Sequence, residues 1–307
     1  MNMIAEKGTL FVKLQRMVKK PGVIFVLPAV LLIIFIIGYP FAYAIWTSFT
    51  DKTVANPYPN FVGFSNYIRW IKRPDFWRTF LNTLIYAGGT LLPSLVFGFA
   101  IGLSLHKFKR GENICGALIL LPWIIPTVIS TLIWLWMFNP FAGIFNYLLT
   151  NLGVISRPLN WLGDPLLAMI SVIGVSVWRN CPYFGVLIFS GRKQIPDELY
   201  EASEIDGASP IQQLRFITIP SLVRIVSFTS MLIFVRTAYD FAIIYILTRG
   251  GPSGATDVFS VKAFVTAFET GQMGLGIALP LLAFPLFAPL MLWASKGMVK
   301  DLIGVAD

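Results

Sequence analysis

The chain has 307 residues, of which 56% are hydrophobic and only 13% are charged, and its formal net charge is +9. Soluble domains carry roughly 25% charged residues, so the composition excludes an ordinary soluble protein and predicts an integral membrane protein. No basic stripe lies outside the apolar runs, which argues against nucleic-acid binding. The two cysteines, Cys115 and Cys181, lie on different apolar runs and indicate buried structural thiols rather than a disulfide framework.

The N-terminal segment is basic. Within residues 10–20, leucine, methionine and valine are spaced against lysines and an arginine, which favours a short amphipathic helix on the inner leaflet. A disordered basic leader is the alternative that composition leaves open. The apolar run that follows, residues 23–49, is longer than the roughly 7–15 residues of a signal-peptide core and is interpreted as a retained first span.

Six runs reach the length of about 20 mainly apolar residues that a spanning helix needs, and irregular backbone cannot face lipid. They are residues 23–49, 79–105, 114–137, 166–190, 220–247 and 273–294. The prediction is an all-α polytopic membrane protein with six transmembrane helices, organised as a leader (1–22), a membrane domain (23–300) and a tail (301–307). Gly98 and Gly102 in the second run have a spacing that permits close approach of another helix.

The distribution of lysine and arginine predicts the orientation. More of them lie in the two termini and in the second and fourth connections than in the remaining connections. Because positive residues are retained on the cytoplasmic side, both termini are predicted to be cytoplasmic, together with residues 191–219 between the fourth and fifth runs. The first external connection has a discordant positive charge, but it is long and also carries Asp51 and Asp75.

Residues 191–219 form a polar island that holds a third of the acidic residues. Pro196 followed by two acidic residues suits the first turn of a helix, which is predicted to run to about Ile205. Gly207 then predicts a turn, and Ser209 fits a capping box that begins a second short helix before the fifth span. The island is therefore predicted to be a cytoplasmic helix-turn-helix rather than a solvated connecting loop.

The same island carries the pattern Glu201-Ala202-Ser203-x-x-Asp206-Gly207-Ala208, followed by Ile217-x-Ile219-Pro220. This pattern resembles the EAA loop of permease subunits in bacterial carbohydrate ABC importers. Other segments resemble the same family, and they are Phe61-Val62-Gly63-Phe64-Ser65-Asn66-Tyr67, Asn139-Pro140-x-x-Gly143-x-x-Asn146, Trp161-Leu162-x-Asp164-Pro165 and, as in the larger subunit of the maltose permease, Thr248-Arg249-Gly250-Gly251-Pro252. The departures are Ser203 where alanine is usual, Arg192-Lys193 where an uncharged pair is common, and the lack of that subunit's extra N-terminal spans and external domain.

The resemblance implies that Glu201, Ala202, Ser203, Asp206 and Gly207 couple this chain to a cytosolic ATPase. It also implies four kinds of partner: a second homologous permease subunit, two cytoplasmic ATPase subunits, an extracytoplasmic solute-binding protein and a saccharide substrate. ATP and Mg²⁺ are expected in the ATPases, because this chain has no phosphate-binding loop of the G-x-x-x-x-G-K-[ST] type. With a single histidine, a zinc site is not expected either. The chain is expected to lie in the bacterial inner membrane and not to be an enzyme itself.

Four charged residues fall within the apolar runs, where a charge at the centre of a span costs about 2.5–3.5 kcal/mol. Arg224 is close to the cytoplasmic start of the fifth run and can extend to water. Arg236 and Asp240 are four residues apart and can form an ion pair on one helix face. Arg179 precedes Pro182, which is predicted to kink or break the fourth span, as at many transporter substrate sites.

The resemblance to maltose-type permeases places a sugar site on the fourth and fifth spans. The matching positions, with Tyr239 added as a second ring able to stack on a sugar, are Ser176, Arg179, Asn180, Tyr183, Arg236, Thr237, Tyr239 and Asp240. Because arginine binds carboxylates through two parallel hydrogen bonds, the two arginines favour an acidic saccharide of the oligouronate type. A neutral oligosaccharide is the alternative. A secondary transporter and a polytopic membrane enzyme are the other classes considered, and no cluster of acid, base or metal ligands supports the latter.

Overall fold

The computed structural model describes residues 21–56, 58–107 and 111–303, without the side chains of residues 21–24, 106–107, 112–113 and 290–303. The α-helices of these residues are α1 (Pro21–Ile33), α2 (Tyr39–Ser48), α3 (Ser65–Ile71), α4 (Pro74–Lys107), α5 (Glu112–Ile119), α6 (Leu121–Ile124), α7 (Thr127–Met137), α8 (Ile144–Asn151), α9 (Pro165–Arg192), α10 (Glu198–Ile205), α11 (Pro210–Gln213), α12 (Ile219–Ala238), α13 (Ala242–Leu247), α14 (Phe259–Phe264) and α15 (Met273–Ile303). Three π-helical segments, Ile34–Gly38, Leu214–Thr218 and Val265–Glu269, adjoin them.

The all-α prediction is confirmed. The one β pairing in the described residues is an isolated antiparallel bridge between Thr50 and Phe61. The predicted amphipathic helix in residues 10–20 and the end of the predicted tail lie outside the described residues.

Four helical segments are long and apolar enough to cross a membrane: Phe25–Ser48, Pro74–Leu105, Pro165–Arg192 and Pro210–Ala238. They correspond to the first, second, fourth and fifth predicted spans. The third predicted span is divided into α5, α6 and α7, and the sixth lies in α15. Four of the six predicted spans therefore meet the length and hydropathy of a membrane span within the described residues, the sixth lies in a continuous helix of 31 residues, and the count of six stays a prediction.

Of the kink or break predicted at Pro182, the break is wrong, because α9 continues through this residue, and the kink stays a prediction. Proline cannot donate to the carbonyl one turn earlier, and here the Sγ of Cys181 lies 3.9 Å from the carbonyl oxygen of Trp178 as a weak donor. The break instead lies in the third run, where Ile125 takes an extended conformation with ψ 132°. Its cause is Pro126, since a residue before proline is disfavoured in the helical region.

A second break divides the fifth run. Helix α12 ends at Ala238, and α13 begins only at Ala242. Arg236 and Asp240 therefore do not share a helix face, and none of the ion pairs in the described residues joins them. The predicted direct ion pair is therefore not formed, although the Arg236 charge still acts on the Asp240 carboxylate over a longer distance.

Helices α4 and α9 pack closely and run parallel. A Cβ atom on Gly89 would contact Ile173, and one on Gly102 would contact Ile188, so contacts advance in the same direction along both helices. The Gly102 position lies against the backbone of α9, where an added Cβ would be 2.7 Å from the Gly185 carbonyl oxygen. The close approach predicted from Gly98 and Gly102 is confirmed.

Most of the segments that resemble the permease family lie at the end of the molecule where α4 and α9 begin, and their side chains stabilise the connections there. The Asn66 amide donates to the carbonyls of Ser48 and Thr50, at 2.8 Å each. The Asn146 amide donates to the Pro140 and Leu159 carbonyls, at 3.0 and 2.9 Å. Such buried amides tie irregular connections to the helices that they join, because their own hydrogen bonds must be satisfied.

Candidate functional site

The polar island folds as the predicted helix-turn-helix at the end of α9. Its first limb is α10, and Gly207, with φ +80°, forms the turn. The predicted capping box is present in both directions: the Ser209 N–H donates to Gln212 Oε1 at 2.7 Å, and the Gln212 N–H donates to Ser209 Oγ at 3.4 Å. We call residues 198–213 the coupling hairpin.

Arg192 holds the first limb of the coupling hairpin. Its guanidinium lies over the Tyr200 ring, 3.7 Å from the ring centroid, and contacts Asp197 Oδ1 at 3.2 Å. The Tyr200 hydroxyl is hydrogen-bonded to Thr218 Oγ1 at 2.8 Å. The charged residue that departs from the family pattern is therefore a buried anchor between α9 and α10.

The five predicted coupling residues divide into two groups. Ser203 faces the second limb, since its hydroxyl donates to the Tyr200 carbonyl at 2.8 Å and accepts from Gln213 Nε2 at 3.0 Å. The other four are exposed, and they are Glu201, Ala202, Asp206 and Gly207. Serine at position 203 thus links the two limbs, which alanine cannot do, while the exposed residues form a surface open to a partner.

The second limb is not the separate short helix that was predicted. Helix α11, the π segment Leu214–Thr218 and α12 form one continuous helical segment, Pro210–Ala238, of 29 residues. Pro220 has no N–H to donate, and the Ile219 N–H bonds to the Leu214 carbonyl in the wider π turn instead of ending the helix. At 1.5 Å per residue this rod is roughly 40 Å long.

The other end of this rod reaches a polar cluster centred on Tyr86, which is fully buried. The Tyr86 hydroxyl is hydrogen-bonded to Ser176 Oγ at 2.5 Å and donates to Asp240 Oδ2 at 3.3 Å. Three elements meet there: α4, α9 and the break between α12 and α13. The sequence reading missed Tyr86, because a tyrosine in an apolar helix resembles a core residue, and the adjacent polar pair Asn82 and Thr83 was its only signal.

Arg179 is buried and supports the broken third run. Its Nη1 donates to the Ile125 carbonyl at 3.0 Å, which the break leaves without a helical partner, and to Ser130 Oγ at 3.1 Å. Asn180 donates to the Ser176 carbonyl of its own helix at 2.8 Å.

Two rings and two residues of α12 complete the predicted substrate path. Tyr183 stacks on Trp123, with centroids 5.5 Å apart. Tyr239 packs edge-on against Phe287, and its buried hydroxyl forms no hydrogen bond within the described residues. Thr237 is buried, whereas Arg236 is exposed and forms no ion pair or side-chain hydrogen bond within them. The hydrogen bonds of Tyr86 therefore join Ser176 and Asp240. Of the two arginines predicted in the substrate path, Arg179 is buried and Arg236 is exposed.

A charged cluster lies where α4 begins, at the opposite end from the coupling hairpin. Lys262 Nζ is 2.9 Å from Asp257 and 3.3 Å from Asp75, and Arg73 is 2.7 Å from Asp75. Burial raises the pKa of Asp257, and the Lys262 ammonium opposes this shift. Burial lowers the pKa of Lys262, but the bonds to Asp257 and Asp75 outweigh it and raise the value overall.

Two comparisons of sequence agree with this architecture. The family described as binding-protein-dependent transport system inner membrane component matches residues 94–296. The trehalose/maltose transport system permease protein MalF of Thermococcus litoralis is 34% identical over 274 residues, which are 89% of this chain and 92% of the relative.

Two solved structures share the fold. A crystal structure of a bacterial ABC transporter involved in the import of the acidic polysaccharide alginate has a TM-score of 0.79 at 19% identity, and covers 94% of this chain and 99% of that chain. A bacterial alginate ABC transporter in complex with an alginate pentasaccharide-bound periplasmic protein has a TM-score of 0.78 at 18% identity, with the same coverage. The predicted resemblance is confirmed: this multi-pass membrane protein belongs to the family of binding-protein-dependent transport system inner membrane components.

Proposed function

We propose that this chain is the permease subunit of an ATP-driven, binding-protein-dependent importer of acidic oligosaccharides. It pairs with a second, homologous permease subunit in the inner membrane, with both termini in the cytoplasm. Two ATPase subunits, which bind ATP and Mg²⁺, dock on the cytoplasmic side, and an extracytoplasmic binding protein delivers the saccharide. ATP hydrolysis belongs to the ATPases, and this chain catalyses no reaction itself.

The observation that carries this proposal is the continuous rod from the coupling hairpin to Ala238. Its cytoplasmic end is braced by Ser203 and Arg192, and its other end stops beside Asp240 in the predicted substrate path. A rigid-body movement of the exposed residues Glu201–Gly207 is therefore transmitted to the path. Alternating access follows when closure of the ATPases moves this rod relative to α4 and α9.

Arg236 supports an acidic substrate. It is exposed, it forms no ion pair with a carboxylate of the described residues, and it lies in the last turn of α12, before the break. A guanidinium in this position binds a uronate carboxylate through two hydrogen bonds, at the site where the chain also offers hydroxyl and amide groups for neutral sugar oxygens. The alginate importer of the same fold transports such a polysaccharide.

A neutral oligosaccharide is the second candidate. Arg179 already donates to Ile125 and Ser130, which leaves one exposed arginine rather than the two that the sequence suggested. The relative from Thermococcus litoralis, at 34% identity, is a trehalose/maltose permease. The two candidates differ in what Arg236 contributes, so substitution of this residue separates them.

The test is ATP-dependent uptake by the complete complex in proteoliposomes, with oligouronates and with maltooligosaccharides. Replacement of Arg236 by glutamine should raise the KM for oligouronates by about tenfold or more, because hydrogen bonds to charged groups contribute about 1.5–3 kcal/mol. Arg224→Gln is the matched control, because Arg224 is an exposed arginine of the same helix near its other end.

An unchanged KM for oligouronates in Arg236→Gln, together with normal maltooligosaccharide uptake, would favour the neutral candidate. Uptake that persists without the ATPase subunits would instead indicate a secondary transporter and contradict the proposal.

A further inference from the structure

A polar cavity of about 380 Å³ lies at the end of the molecule opposite to the coupling hairpin. It is lined by the first turns of α4 and by the segment between α13 and α14, and its ionisable residues are Asp75, Arg78, Arg249, Asp257 and Lys262. Because α4 and α9 run parallel and the hairpin follows the end of α9, the start of α4 faces the other side of the membrane. With the hairpin in the cytoplasm, this cavity opens to the extracytoplasmic side.

The acidic residues of the cavity are already paired. Lys262 contacts both Asp75 and Asp257, and Arg73 also contacts Asp75. In contrast, Arg78 and Arg249 are both exposed, and neither forms an ion pair or a side-chain hydrogen bond in the part of the chain that the structure describes. Arg249 only lies over the Tyr245 ring, 5.6 Å from its centroid. The cavity therefore offers two guanidinium groups to an incoming anion.

The backbone at Arg249 gives a second, independent indication. Its φ is +51°, in the left-handed region, and its N–H donates to the Ile244 carbonyl at 3.0 Å as the chain leaves α13. Glycine is the usual residue in this conformation after a helix. A long cationic side chain held in a conformation that favours glycine indicates that the side chain has a role, because such strain concentrates at functional sites.

The loop that lines the cavity is tied to α4 on the side of the predicted substrate path. The Asn82 amide donates to the carbonyls of Gly254 and Asp257, at 2.9 and 3.2 Å, and so ties the lining loop to α4. Tyr86 and its polar cluster lie one further turn along α4. None of the residues that line the cavity belongs to the predicted substrate path.

We propose that this cavity is a docking site for an acidic side chain of the extracytoplasmic solute-binding protein. The carboxylate is held by Arg78 and Arg249, whose guanidinium groups bind such an anion strongly and with defined geometry. The proposal rests on the proposed function, since membership of a binding-protein-dependent family supplies the protein that reaches this face. Beyond the proposed function, it specifies where the binding protein contacts this chain and that the contacting side chain is acidic.

The test uses the complete complex in lipid nanodiscs and the binding protein that stimulates its ATPase activity. The Kd between the two is measured for Arg78→Gln, for Arg249→Gly and for the double variant. Glycine at position 249 suits the left-handed backbone, so this variant removes the charge without adding strain. Each single change should raise the Kd several-fold, and the double change should raise it at least tenfold.

Arg157→Gln is the matched control, because Arg157 is exposed in the connection before α9, on the same predicted side, and does not line the cavity. It should leave the Kd unchanged. ATPase activity without the binding protein should be the same in all variants. Raising the salt concentration should weaken binding by the wild-type complex more than by the double variant. The reason is that salt screens the charges of Arg78 and Arg249, which the double variant lacks.

A double variant that binds as tightly as Arg157→Gln would overturn the docking site. If the double variant has an unchanged Kd for the binding protein but a higher KM for acidic saccharides, the docking site is also overturned, and the cavity is assigned to the substrate. Neither result affects the proposed function as long as the wild-type complex carries out ATP-dependent uptake. If the wild-type complex shows no ATP-dependent uptake, the proposed function itself is wrong.

Discussion

Tyr86 connects three helical elements through a single hydroxyl group. It contacts Ser176 of α9 and the Asp240 carboxylate after α12, and its own ring is fully buried in α4. A half-buried carboxylate such as that of Asp240 needs hydrogen-bond donors, because leaving it without partners costs more than a typical hydrogen bond contributes. Tyr86 thus holds Asp240 in place at the end of the rod that begins at the coupling hairpin.

Replacing Tyr86 with phenylalanine should raise the KM for uptake about tenfold, because Asp240 loses one hydrogen-bond donor and the predicted path loses its geometry. The loss corresponds to roughly 1–1.5 kcal/mol, the net contribution of one hydrogen bond. Uptake kinetics in proteoliposomes measure the effect.

The matched control is Tyr67→Phe, which removes a hydroxyl bonded to Ser48 Oγ at 2.6 Å, away from the predicted path. Both variants should lose similar thermal stability, and only Tyr86→Phe should change the KM. Equal KM values in the two variants would show that Tyr86 has no role in transport.

Single residues also show which features of the candidate site can be predicted from the sequence and which cannot. The capping box at Ser209 and the turn at Gly207 depend on local hydrogen bonds and backbone conformation, so they could be predicted and were confirmed. The hydrogen-bond partners of Arg179 could not be predicted, because Ile125 and Ser130 are about fifty residues away in the sequence and become neighbours only through helix packing. Site residues that depend on such distant contacts lie beyond what local pattern can reveal.

At the scale of helices, α4 and α9 form the most extensive contact among the described elements. Glycines on both surfaces allow this approach, since a Cβ on Gly102 would lie 2.7 Å from the Gly185 carbonyl oxygen and one on Gly185 would lie 2.5 Å from Ile101 Cγ2. In a bilayer, helix association depends on such packing, because lipid supplies no hydrophobic driving force between helices. This pair is thus the fixed surface against which the rod can move.

Gly102→Ala should lower the thermal stability of the purified complex, because the added methyl group forces the two backbones apart. Overpacking of this kind costs about 1–3 kcal/mol. Gly88→Ala is the control in the same helix, where an added Cβ meets nothing within 4 Å and alanine should stabilise the helix slightly. Thermal unfolding in detergent compares them, and equal melting temperatures would contradict the packing argument.

The two helix breaks show why proline alone does not locate an interruption. Pro126 coincides with a break and Pro182 does not. The difference lies in the tertiary contacts of the two prolines: Arg179 binds the carbonyl freed beside Pro126, whereas α9 is held along its length by α4. Tertiary contacts decide which proline breaks its helix, so of the kink or break predicted at Pro182 the break lies at Pro126 instead.

At the scale of the whole molecule, the two sides of the membrane are connected by rigid elements. The rod 210–238 runs from the coupling hairpin to the Tyr86 cluster, and α4 continues from that cluster to the cavity that contains Arg78. A continuous helix therefore connects each surface to the predicted substrate path. This geometry requires that the rod be stiff where it leaves the hairpin, at the π segment Leu214–Thr218.

Stiffness at that point can be tested separately from side-chain contacts. Arg215 and Phe216 are exposed in the π segment, so replacing both with glycine should loosen the backbone by about 1 kcal/mol per residue relative to alanine. The double glycine variant should hydrolyse ATP in response to the binding protein but import several-fold less saccharide per ATP. The double alanine variant removes the same side chains and keeps a stiff helix, so its ratio of transport to hydrolysis should stay close to that of the wild type. If both variants lose coupling equally, the exposed side chains rather than the continuous rod transmit the movement.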